Sequence, residues 1–178
     1  MKYGVPFLLL LLVATSAQAN AQVAVELRAG AAIGNHLPAA AGLETSTRPS
    51  LAASVEVSPL SFLSLYGTYV RSAFGCQEGF CEDRDVTVTT SGVGAGGRLH
   101  LPRLPWVRAG VVHLATSVAA DDGDHTIPAG PAFDLGTGLT LRVGGVLELL
   151  PGITYRAHFA PEDRTTTLSA ALGVLLGF

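Results

Sequence analysis

The segment 168-LSAALGVLLGF-178 decides the fold, because apolar and small residues alternate along it without a break until the terminal aromatic. Leu168, Ala170, Leu172, Val174, Leu176 and Phe178 fall on one face of an extended chain. Ser169, Ala171, Gly173 and Gly177 fall on the other, with Leu175 the one large exception. A period of two is a strand's period, not a helix's. The pattern predicts a strand with one apolar face that runs to Phe178.

The opposite end reads as an export signal. Lys2 supplies a positive n-region, residues 7–14 are an unbroken apolar stretch, and Ala17, Gln18 and Ala19 form an A-x-A cleavage site before Asn20. That stretch is too short for a membrane helix, which needs about 20 apolar residues. Residues 1–19 are therefore expected to be a cleaved signal peptide and residues 20–178 a single mature domain, 178 minus 19 or 159 residues long. The residue directly after the cleavage site is Asn20 and not cysteine, which argues against a lipoprotein.

Charged residues make up 14% of the chain, against about 25% in a typical soluble domain. Lys2 is the only lysine, so the mature domain carries arginine as its only strongly basic side chain. The net charge of −3 and the lack of basic clusters argue against nucleic-acid binding, and no phosphate-binding loop or dinucleotide fingerprint is present. Apolar residues are spread by alternation rather than in long runs. That is the distribution a closed barrel needs if it is to face hydrocarbon.

Strand-like segments follow along 23–34, 51–57, 62–74, 86–101, 106–118, 133–143, 147–159 and 168–178. In the third, Leu63, Leu65 and Tyr69 oppose Ser64, Tyr66 and Thr68. The fourth changes phase near Thr89 to Ser91, as a bulge would cause. In the sixth, Phe133, Leu135, Leu139, Leu141 and Val143 oppose Asp134, Gly136, Gly138, Thr140 and Arg142. Short connections at 58–61, 102–105 and 144–145 alternate with longer ones, including an acidic third loop over 119–131. Eight such segments predict an all-β, eight-stranded antiparallel up-and-down transmembrane β-barrel with short turns at the periplasmic end. Phe62, Trp106 and Phe178 are expected in a belt at that end, and Phe74, Phe133 and Phe159 in one at the outer end.

With a signal at one end and an apolar strand closing on Phe178 at the other, the chain resembles the small bacterial outer-membrane barrels of the OmpA and OmpX type. The resemblance covers the mature chain and is carried by pattern, apart from the last strand. It implies a location in the outer membrane among lipid and lipopolysaccharide, and a barrel-assembly machinery that reads Phe178. A soluble lipid-binding barrel would turn its apolar face inward and a lysine-rich face outward. Here the polar face is Gly, Ser, Thr, Arg and acid, which suits an interior.

The inward positions include Glu26, Arg28, Glu56, Arg98, Arg108, Asp134, Arg142, Glu148 and Arg156, with His100 and His158. Eight strands leave room for side chains only, and buried charges have to be paired. A packed charge network is the expectation, and a narrow or gated ion path is the alternative.

Cys76 and Cys81 flank a short segment of the second outer loop, and passage through an oxidising periplasm favours a disulfide between them. A metal site there would need two more ligands. Acidic residues gather in the outer loops: Glu78, Glu82, Asp83 and Asp85, then Asp121, Asp122 and Asp124, then Glu162 and Asp163. The cluster at 121–124 has oxygen donors for calcium but not the spacing of a known loop, so a solvated acidic surface is the plainer reading. Outer-membrane lipid A deacylases carry a His-x-Ser pair. Here neither His158 nor His113 has a serine two residues on.

The sequence thus points to a non-enzymatic outer-membrane barrel without cofactor, with a structural or adhesive surface role. A small-solute channel is second and a lipid A-modifying esterase third. Because the last strand carries the resemblance to assembly substrates, deleting Phe178 is expected to lower the amount of heat-modifiable, folded barrel in the outer membrane while export continues. Electrophoresis of unboiled membrane fractions checks this.

Overall fold

The computed structural model describes residues 22–37, 45–76, 86–101, 104–120, 123–159 and 164–178. Every element in them is a strand: β1 (Gln22–Leu37), β2 (Thr45–Leu60), β3 (Leu63–Cys76), β4 (Val86–Leu99), β5 (Trp106–Ala120), β6 (Gly123–Gly138), β7 (Leu141–Arg142), β8 (Leu147–Phe159) and β9 (Arg164–Gly177). Each strand pairs antiparallel with its neighbours, and β1 closes on β9 from Ala24↔Gly177 to Leu37↔Arg164. β6 and β7 share the partner β8 and together make one stave, so nine strands build an eight-staved closed barrel. The backbone N–H of Phe178 donates to the Val23 carbonyl (2.8 Å), which ties the chain's last residue to the first strand.

Alternation sorts the side chains as the sequence predicts. Leu27, Leu51, Val55, Leu65, Tyr69, Val93, Val111, Phe133, Leu135, Ile153 and Leu172 point outward and are exposed, while the residues between them are buried. Leu175 breaks the alternation for a packing reason. It points inward at the periplasmic end and is buried with Ala24, Trp106 and Leu150.

Four expectations need correction. First, β4 runs in unbroken register against β3, from Leu63↔Leu99 to Cys76↔Val86, so there is no phase change near Thr90. Val88 simply faces inward and is buried, in an outer half of the lumen that accepts apolar side chains. Second, the stretch read as an acidic third loop is a hairpin. β5 and β6 stay paired from Thr116↔Ile127 to Ala120↔Gly123. Pro128 lies at the register shift between Leu114 and Thr116, where no ladder bond is asked of it.

Third, the sixth stave is interrupted at Leu139 and Thr140. β5 begins at Trp106, opposite Gly138, so beyond Gly138 the stave has no partner on that side. The Trp106 indole N–H donates to the Leu139 carbonyl instead (3.1 Å). Fourth, Trp106 belongs to no belt, being 1% exposed inside the barrel. Phe62 and Phe178 are exposed at the periplasmic end, as expected. In the outer half Phe133 is exposed, and Tyr69 and Tyr155 share that outward face. The side chains of Phe74 and Phe159 lie outside the described residues.

Two outward leucines on β9 test the depth of the lipid-facing band. Leu172 pairs with Ala29 at mid-strand and Leu176 with Val25 near the end. Leu172→Arg is expected to cost about 2–4 kcal/mol and Leu176→Arg about 0–1 kcal/mol. Equilibrium unfolding of the barrel from lipid vesicles measures both.

Candidate functional site

Because inward residues come at every second position of each stave, charges far apart in sequence meet inside. Glu26 is the centre of the lower group. Its Oε1 accepts from Nε (3.1 Å) and Nη2 (2.5 Å) of Arg28, two residues along β1 on the same face. Its Oε2 accepts from Nη2 of Arg98 (2.5 Å), which reaches across from β4. Nη1 of Arg98 stands 2.7 Å from Oε1 of Glu56 on β2. Arg28 also donates to Thr154 Oγ1 on β8 (3.2 Å). Two acids and two guanidiniums thus join four staves.

Trp106 packs against this group. Both the Arg28 and Arg98 guanidiniums lie over its ring, with Cζ 5.1 and 5.0 Å from the centroid, a cation–π arrangement. The indole fits inward because Gly138 and Gly152 lie beneath it. A Cβ at either would stand 2.6 Å from Trp106 Cζ2, so only glycine is compatible.

A second group lies nearer mid-barrel around Asp134 on β6. Its Oδ1 accepts from Nε of Arg156 (2.6 Å), and its Oδ2 is 2.9 Å from Nη2 of Arg108 and 3.5 Å from the Tyr66 hydroxyl. Arg108 lies over the Tyr66 ring, with Cζ 5.4 Å from the centroid. Arg156 also donates to Ser72 Oγ across the lumen (3.2 Å), and Ser72 bonds Ser50 (2.8 Å). All seven charged side chains of the two groups are at most 5% exposed.

Of the nine charged positions read as inward, these seven are brought together. Arg142 and Glu148 are not part of the buried network. They pair with each other (3.1 Å) at the periplasmic mouth, where Arg142 is 82% exposed and Glu148 is 23% exposed. The reason is the interruption before β7, which leaves Arg142 on a two-residue strand at the rim. His158 faces inward in the outer half and is buried, with no partner on Nε2 among the described residues. Cys76 ends β3, but Cys81 lies outside the described residues, as do Asp121 and Asp122 and the acidic residues of the second and fourth loops. Asp124 is the second residue of β6, opposite Ala119.

The sequence reading missed the cavity below the lower charge group. It opens at the periplasmic end, has a volume of about 810 Å³, and is lined by Glu56, Ser64, His100, Trp106 and the Arg142–Glu148 pair among others. Ser64 Oγ shares hydrogen bonds with Ser58 Oγ (2.9 Å) and His100 Nε2 (2.9 Å). Burial, reinforced by the nearby Arg98 charge, holds the His100 imidazole below the ordinary histidine pKa. The even position of Trp106, shared with Arg108 on the same strand, was the signal that the indole faces inward.

Comparison of whole structures agrees with this architecture. Neisserial surface protein A superposes with a TM-score of 0.62 at 18% identity, covering 88% of this chain and 97% of that one. Ail, the attachment invasion locus protein of Yersinia pestis, superposes at 0.55 and 10% identity over 88% of this chain and 99% of its own. The N-terminal β-barrel domain of Pseudomonas aeruginosa OprF does so at 0.51 and 14% identity over 89% and 100%. No family profile matches the sequence, and no curated protein matches it either. The chain has the fold of the small eight-stranded outer-membrane β-barrels, and its exposed apolar exterior is the face that such a barrel turns to the lipid of that membrane.

Asp134 holds two guanidiniums at once, so Asp134→Asn strands both and is expected to cost about 3–5 kcal/mol. Glu148→Gln breaks only a rim pair and should cost no more than about 1 kcal/mol. Denaturant titration of the two variants side by side separates a buried network from a solvated one.

Proposed function

We propose that this chain is a non-enzymatic outer-membrane barrel whose lumen is closed by its own charge network and whose work is done at the cell surface, in a structural or adhesive role. The observation that carries the closed lumen is the set of ties across it, above all Arg98 reaching from β4 to Glu26 and Glu56. The surface role is supported by the β5–β6 hairpin, which keeps strand pairing to Ala120↔Gly123, several residues above the outward apolar band. A paired hairpin presents its side chains in a fixed arrangement, at less entropic cost on binding than a loose loop.

In this reading residues 1–19 direct export and are removed, the assembly machinery recognises the strand ending in Phe178, and the outer rim contacts lipopolysaccharide. Cys76 and Cys81 form a disulfide that shapes the second loop. The alternative of a narrow channel draws on the periplasmic cavity, which brings water up to Glu56 and Trp106. The non-enzymatic reading draws support from His113 and Ser117, both exposed on the outward face of β5.

Wild-type barrel in planar bilayers should give no steady conductance, and replacing residues 117–126 by a short turn should leave the amount of folded barrel unchanged while lowering attachment of the bacteria that carry it. Steady single-channel openings in wild type would favour the channel. Unchanged attachment after hairpin removal would overturn the adhesive reading.

A further inference from the structure

Arg98 and Arg108 stand directly opposite each other in the β4–β5 ladder, both pointing inward and no more than 1% exposed. Like charges in that relation repel. Their guanidiniums accordingly part, Arg98 towards Glu26 and Glu56 and Arg108 towards Asp134. Each leaves its Nε–H without a partner, so two buried donors on adjacent strands are unsatisfied among the described residues. Gly136 faces Arg108 from β6, and a Cβ there would stand 3.0 Å from Arg108 Nε, so only bare backbone fits beside that N–H.

Charge counting points the same way. The buried network holds Arg28, Arg98, Arg108 and Arg156 against Glu26, Glu56 and Asp134, four cations to three anions. Arginine does not lose its proton in proteins, and protonating any of the three acids would widen the imbalance. An uncompensated buried charge is costly. A water molecule would accept from the two Nε–H groups but leave the extra charge. A small anion answers both needs.

We propose that Arg98 and Arg108 hold a monovalent anion of halide size in the lumen between their two strands. The site is independent of the surface role argued above. Glu26, Glu56 and Asp134 face it from β1, β2 and β6 and stand in ion pairs with the guanidinium tips, and the Tyr66 hydroxyl is turned to Asp134, which leaves the Nε edges for the added anion.

The test uses the folded barrel in detergent, moved from chloride into gluconate at equal ionic strength, with unfolding followed by the electrophoretic shift on heating. Saturating chloride should raise the midpoint by about 5 °C or more over gluconate. Arg108→Gln, which makes the count three to three, should lose that difference. Crystals grown in bromide should show an anomalous peak within hydrogen-bonding reach of both Nε atoms. Equal midpoints in the two salts, or a salt effect shared equally by wild type and Arg108→Gln, would overturn the proposal. If the variant does not fold, the wild-type bromide crystal decides alone, and a site without anomalous signal means water only and defeats it.

Discussion

No backbone N–H or C=O can be left facing hydrocarbon, and a sheet meets that condition only by closing on itself. Here closure falls to β1 and β9, whose ladder runs from Ala24↔Gly177 to Leu37↔Arg164. Once eight staves close, the interior has room for side chains but not for bulk water. The two faces of every strand then obey different rules. The outward face needs only to be apolar, so Leu, Val, Ala and Phe serve in almost any order. The inward face must fill a fixed volume and leave no charge alone, so its residues are particular.

The charge network goes most of the way to meeting the second requirement, since each of its seven charged groups stands in at least one ion pair. Taking seven charged groups out of water costs several kcal/mol each, and their pairing offsets that cost only when the geometry is good. Glu26 shows such geometry, with both carboxylate oxygens accepting from guanidiniums on two different staves. What the network adds is position more than stability. An apolar filling of equal volume packs in many arrangements, whereas Arg98 reaches both its acids only when β4 stands across from β1 and β2 at one height. Trp106 depends on the same register, because the glycines beneath its ring, Gly138 and Gly152, are a cross-strand pair.

Most of the fold was legible in the sequence because alternation along a strand fixes the side of each residue without reference to anything distant. Glu26, Arg28, Glu56, Arg98, Arg108, Asp134 and Arg156 share the inward parity of their strands and are buried. Where the reading failed, a neighbouring stave set the outcome. Arg142 has the right parity for the lumen but lies below the point where β5 begins, so nothing encloses it. The hairpin over 119–131 reads as a loop from its acidic residues, and its pairing passes through a register shift that the sequence pattern does not show. The phase change assigned to β4 came from assuming a uniformly polar lumen, which the burial of Val88 contradicts. Which charges pair was not legible either, because Arg98 reaches past β3 to strands it does not touch in the ladder.

The interior is graded along its axis, and the gradation bears on transport. Ala52, Val70, Val112, Leu114 and Ala132 form a buried apolar cluster in the outer half, with the hydroxyls of Ser50, Ser72 and Thr116 outward of it on the same strands and Arg156 bonded to Ser72. An ion entering from outside would pass the buried hydroxyls of Ser50, Ser72, Thr90 and Thr116 and then meet that cluster, which offers nothing to replace its shell. An ion entering from the periplasmic cavity meets Glu56 and the Trp106 ring, both already engaged by Arg98. The two obstacles lie in series and differ in kind. Opening the salt bridges alone would leave the apolar cluster dry, and wetting the apolar cluster alone would leave the bridges shut. A single substitution at either obstacle therefore has less effect on conduction than on stability, since conduction needs both to yield while stability is lost when either one does.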